Sequence, residues 1–67
     1  MGEAIAICKL MKTARMKKGM TLKQLSKQTG FSIPALSTWE RGVKTPTMFN
    51  AECVLRVLGY QLKAVKL

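Results

Sequence analysis

Sixty-seven residues make one domain, near the lower size at which a single hydrophobic core holds a fold by itself. Twelve Lys and Arg oppose only Glu3, Glu40 and Glu52, a formal charge of +9, yet 48% of the residues are hydrophobic, which excludes a disordered basic tail. In so small a chain that balance points to a polyanion, nucleic acid before a membrane surface.

No run approaches the roughly 20 apolar residues of a membrane span, and Glu3 stands where a secretory signal carries Lys or Arg. A cytoplasmic protein without a membrane partner is expected. There is no His, the acids are scattered, and neither a Gly-rich phosphate loop nor a Ser paired with a base occurs. Acid–base and covalent catalysis therefore have no residues to work with, and no enzyme is expected. Cys8 and Cys53 alone cannot close a four-ligand zinc site and read as small buried hydrophobes, so neither metal nor cofactor is expected.

In chain order, Glu3 to Lys18 is predicted as the first helix, with Ile7, Leu10, Met11 and Ala14 on one face at three-and-four spacing. Lys9, Lys12, Lys17 and Lys18 fall mostly elsewhere and favour the C-terminal pole of the helix dipole. Gly19 stops this helix, and Met20 enters the core ahead of the next. Thr21-Leu22-Lys23-Gln24 is a capping box, in which Thr21 and Gln24 satisfy two orphan backbone donors. Leu22, Leu25, Ser26 and Thr29 then form one face, with Ser26 small enough to let a crossing helix approach. Gly30 ends the second helix, Phe31 anchors in the core, and Ser32 caps a third helix. That is the tight corner of a helix-turn-helix.

The third helix is the stretch around which the chain is organised. Ser32 can accept from a first-turn amide, Pro34 falls where a missing N–H is tolerated, and Gly42 supplies a left-handed stop. Leu36 and Trp39, with Ala35 beside them, make the buried stripe. The opposite face carries Ile33, Pro34, Ser37, Thr38 and Arg41, uncharged in its middle and basic at its end. Such a face suits a groove of hydrogen-bonding base edges flanked by phosphates. Val43-Lys44-Thr45-Pro46 follows as a loop, and Thr47 caps a fourth helix with Met48, Ala51, Val54, Leu55 and Leu58 apolar. Gly59 ends it. In the tail, residues 60–67, Leu62 and Ala64 alternate with Gln61 and Lys63, which suggests a short strand needing a pairing partner.

The run Arg15-Met16-Lys17-Lys18-Gly19-Met20-Thr21, then Leu25-Ser26, Gly30-Phe31-Ser32 and Leu36-Ser37-Thr38-Trp39-Glu40-Arg41-Gly42 with Pro46, resembles the phage repressor and Cro-like (XRE) helix-turn-helix family. The similarity runs from about Ile5 to Gly59. It implies an all-α, lambda-repressor-like bundle of four or five helices, with residues 1–59 as the DNA-binding domain. The tail, residues 60–67, resembles the C-terminal dimerisation strand of some antitoxin-type members, where two strands pair across a dimer axis; the alternative is a tail folded onto its own domain. Carried over by position, Ser32, Ile33, Pro34, Ser37 and Thr38 are the base-edge candidates. Lys23, Arg41, Lys44 and the amides opening the second helix are the phosphate candidates. Arg15 and Glu40 match a pair that ties the first helix to the third. Independently, an unpaired Glu40 would repel DNA, which favours a structural salt bridge.

Four positions depart from the family pattern. Leu22 stands where many members carry Gln, Ile33 and Pro34 occupy places usually polar, and Thr29 replaces an apolar core residue. Ile33 and Pro34 either pack on thymine methyls or merely shape the helix start. The function implied is a dimeric regulator, a repressor, bound to a palindromic operator in double-stranded DNA. The alternative is an antitoxin that holds a toxin protein and also regulates its own operon.

Overall fold

Four helices follow in chain order: α1 (Gly2–Lys17), α2 (Leu22–Thr29), α3 (Ile33–Glu40) and α4 (Met48–Val57). The structure, a computed structural model, describes residues 2–60, with side chains from residue 6 onward. Among the described residues there is no strand, so the architecture is the expected all-α bundle. The strand suggested for the tail lies outside the described residues. Helix α1 runs one residue ahead of its predicted bounds at each end; Lys18 N still donates to the Ala14 carbonyl at 3.1 Å, so the last turn is complete.

Each short helix starts on a hydroxyl. Thr21 Oγ1 accepts from Gln24 N while Gln24 Oε1 accepts from Thr21 N, the reciprocal capping box expected there. Ser32 Oγ accepts from Ala35 N, and Thr47 Oγ1 from Asn50 N. A first-turn donor is thus satisfied in each helix, a contribution of about 1 kcal/mol per cap. Helices α1, α3 and α4 end alike: the amide two residues past the last turn reaches back to the carbonyl five residues earlier, Met20 to Arg15, Val43 to Thr38 and Tyr60 to Leu55. The motif needs a left-handed residue at its centre, and at α3 that residue is Gly42, with φ +76°.

The corner between α2 and α3 is only Gly30, Phe31 and Ser32, and side-chain hydroxyls stitch it. Ser26 Oγ donates to the Phe31 carbonyl. Thr29 Oγ1 donates to the Leu25 carbonyl at 2.8 Å and accepts from Phe31 N at 3.2 Å. This accounts for Thr29 where an apolar residue is usual: its polar atom is fully used in holding the turn, so no unsatisfied group is buried.

Helix α2 packs on α3 and α4, and α1 packs on the same two. Met11, Leu25, Leu36, Val54 and Leu55 are completely buried where these faces meet, with Cys8, Ala14, Ala51 and Leu58 around them. Each large member stabilises the fold by roughly 1.5–3 kcal/mol. Ile7, Leu10, Met20, Leu22, Phe31, Trp39 and Val57 pack against this centre while partly exposed. Pro46 is buried as well and anchors the loop before α4.

Candidate nucleic-acid interface

The inner side of α3 is fixed in three ways. Leu36 is wholly buried, and Trp39 meets Phe31 edge-to-face with ring centroids 5.1 Å apart and planes at 77°. The third anchor is Glu40, only 9% exposed. Arg15 Nε donates to its Oε2 at 2.7 Å and Arg15 Nη2 to its Oε1 at 3.0 Å, a two-pronged pair. The remaining prong, Nη1, donates to the Met20 carbonyl at 2.8 Å. One guanidinium therefore ties α1, the turn into α2 and the end of α3 together, and it neutralises an acid that would otherwise repel phosphates. The hydrogen bond to Glu40 raises the Arg15 pKa above its ordinary value; burial opposes this and the attraction between the charges adds to it. For a basic group with a raised pKa the stabilisation is fully present below the pKa of the free side chain and is lost as pH rises through the folded value, so on the basic side this contribution persists until strongly alkaline solution.

With that side anchored, the opposite side of α3 faces outward. Ser32, Ile33 and Pro34 are exposed, Ile33 by 41%. Ser37 and Thr38, read from the sequence as outward-pointing, are half-buried. Thr38 Oγ1 donates to the Ala35 carbonyl at 2.8 Å, because a threonine in a helix can return its proton to the preceding turn. Its oxygen can then only accept from a ligand. Ser32 is the reverse case, since its oxygen already accepts from Ala35 N and its proton is left to donate. The hydroxyl of Ser37 has no partner among the described residues and is available for either role.

Beyond α3 the chain turns through Arg41, Gly42, Val43 and Lys44, all exposed. The Thr38 carbonyl accepts from Val43 N at 3.0 Å and from Lys44 N at 3.4 Å, so the turn folds back on the helix that precedes it. Arg41 and Lys44 thus sit exposed on a turn held against the end of α3. No side-chain pattern announces this tether, because its acceptor is a backbone carbonyl. Val43, 61% exposed between the two cations, was not singled out from the sequence either.

Lys23 comes from a separate element, the exposed first turn of α2. There Gln24 N and Leu25 N are taken by the Thr21 hydroxyl and carbonyl. The amides of Leu22 and Lys23 are the first-turn donors left over among the described residues, an anion-binding arrangement at a helix start. Leu22, at the position where Gln is usual, is half-buried and packs on the core. Among the described residues no three His, Cys, Asp or Glu gather in one place, and no helix is long and apolar enough to cross a membrane.

A helix-turn-helix family model matches residues 11–65. No match was found among curated proteins or among solved structures. The matched span holds the corner at Gly30, the capped outward helix and the Arg15–Glu40 tie described above. The chain therefore belongs to the phage repressor and Cro-like (XRE) helix-turn-helix family of DNA-binding transcriptional regulators.

Proposed function

We propose that this protein is a cytoplasmic, dimeric repressor that lays α3 in the major groove of a palindromic operator. Ser32, Ile33, Pro34, Ser37 and Thr38 meet base edges, while Arg41, Lys44, Lys23 and the opening amides of α2 hold phosphates. The observation that carries this reading is the outward face of α3: short, exposed at its start, uncharged in its middle, and bounded by Arg41 and Lys44 on a turn tethered to the helix. Phosphate contacts supply salt-dependent affinity and base contacts supply discrimination. The hydroxyls give that discrimination a direction. Ser32 donates, which suits purine N7, guanine O6 or thymine O4, whereas Thr38 accepts, which suits the amino group of adenine or cytosine. Ile33 adds an apolar surface for a thymine methyl.

Selection of bound fragments from a random DNA pool tests the proposal. The expected product is a palindrome whose half-sites lie about one helical turn apart. Enrichment of no common sequence would leave a non-specific DNA binder and remove the operator reading. A toxin gene directly beside this one would instead favour the antitoxin role, in which the same helix regulates the pair's own operon.

A further inference from the structure

We propose that the outer face of α4 is the surface on which two copies of this chain join. The inference rests on the dimeric reading above and assigns its interface. Ala51, Val54, Leu55 and Leu58 turn inward. At helical spacing on the other side stand Phe49, Glu52, Cys53 and Arg56. Phe49 is 72% exposed and Met48 beside it 69%, the two most exposed large hydrophobic residues among those described. Side chains of this kind left in water at the start of one helix mark an association surface.

Charge decides which partner fits. A chain carrying +9 disfavours contact with its own copies through basic surface, so a locally neutral face suits self-association best. Glu40 is consumed by Arg15, so Glu52 is the one acid at the described surface, and it lies on this face with Arg56 Nη2 3.6 Å away. The Glu52–Arg56 pair makes the middle of the face neutral and self-complementary, and a further cation, the Lys18 ammonium, donates to the Val57 carbonyl at 3.2 Å at the far end of the helix. An antiparallel crossing of two α4 helices about a two-fold axis near residue 54 sets each Glu52 against Arg56 of the other copy. The same axis brings Cys53 beside its own equivalent. It also carries Phe49 over the far end of the neighbouring helix, where half-buried Val57 and exposed Tyr60 lie.

Sedimentation of the full chain over a concentration series, on wild type and three variants, tests this. Phe49→Asp should raise the dimer Kd about tenfold or more, as loss of an aromatic anchor does. At concentrations low enough that both proteins are monomeric its thermal melt should match wild type, because the side chain is exposed in the single chain. Glu52→Arg and Arg56→Glu should each weaken self-association, since like charges then face each other. An equimolar mixture of the two should form the heterodimer in preference to either homodimer. Mild oxidation should link wild-type chains through Cys53, Cys8 being buried, and should fail to link Phe49→Asp. A wild-type dimer whose Kd is the same in all three variants, with no heterodimer preference, overturns the interface and leaves the dimeric reading standing. A wild type that stays monomeric at every concentration, on operator DNA included, overturns both.

Discussion

Helices α3 and α4 are close in length, each begins on a capping hydroxyl, and each closes on a glycine with positive φ. Their outward faces nevertheless differ in kind. That of α3 presents small hydroxyls, one aliphatic side chain and a proline, with its only acid turned inward and bonded to Arg15. That of α4 presents Met48 and Phe49, with an acid and a base left at the surface one turn apart. Length, caps and stops fix where a helix lies. What it can bind is decided by where its charges go, because a buried acid leaves a basic flank for phosphates and an exposed one makes a neutral patch.

The sharpest way to break that comparison is to remove the acid from each helix. Glu40→Ala leaves Arg15 charged and poorly solvated, at a cost of about 3 kcal/mol or more. For a domain of this size each kcal/mol lowers the melting temperature by roughly 4–8 °C. Within a single chain Glu52→Ala removes only an exposed pair one turn apart, worth about 0.3–0.5 kcal/mol, so the two melts are compared at a concentration where the protein is monomeric. Thermal melts followed by circular dichroism should therefore differ widely between the two variants. Equal small shifts would mean that the Glu40 pair is not buried in solution.

A smaller effect separates reading from holding on α3 itself. Ser37→Ala and Thr38→Ala should each weaken operator binding by about 1–3 kcal/mol where the hydroxyl meets a base, and leave binding to random DNA nearly unchanged. Ile33→Ala should selectively reduce the preference for a thymine. The ratio of operator to random affinity at one fixed salt concentration is the measurement. If all three variants keep the wild-type ratio, α3 is not the reader.

The least change is expected in the slope of affinity against salt. Arg41→Ala and Lys44→Ala should weaken operator and random DNA alike and flatten that slope by about one unit for each phosphate contact removed. An unaltered slope in the Lys44 variant would show that the tethered turn does not touch the backbone of the duplex.

Much of this was legible in the sequence because it is written in local chemistry. The Thr21–Gln24 box, the serine and threonine caps and the terminal glycines each act within a few residues, and all lie where the pattern puts them. The tie between residues 15 and 40 is not local. It could be read only because the family resemblance pairs Arg15 with Glu40 and because a lone central acid needs a cation. Thr38 shows where pattern reading stops. Helical spacing puts it on the outward face, but whether its proton faces a ligand or the Ala35 carbonyl depends on a rotamer, which periodicity does not carry. Thr29 is a related case, since hydropathy ranks the residue and says nothing of the two bonds its oxygen makes.

The Thr38 carbonyl, which accepts from the amides of both Val43 and Lys44, also bears on how so small a protein could grip DNA. A flexible loop must lose its backbone freedom when it binds, at about 1–2 kcal/mol for each residue that becomes ordered. Here residues 41–44 are already arranged before any duplex arrives, so that entropic penalty falls on folding and not on association. Stiffness in this turn would let two cations contribute nearly their full attraction. Loosening it, for example by Gly42→Ala at its positive φ, would weaken binding without touching a single charge.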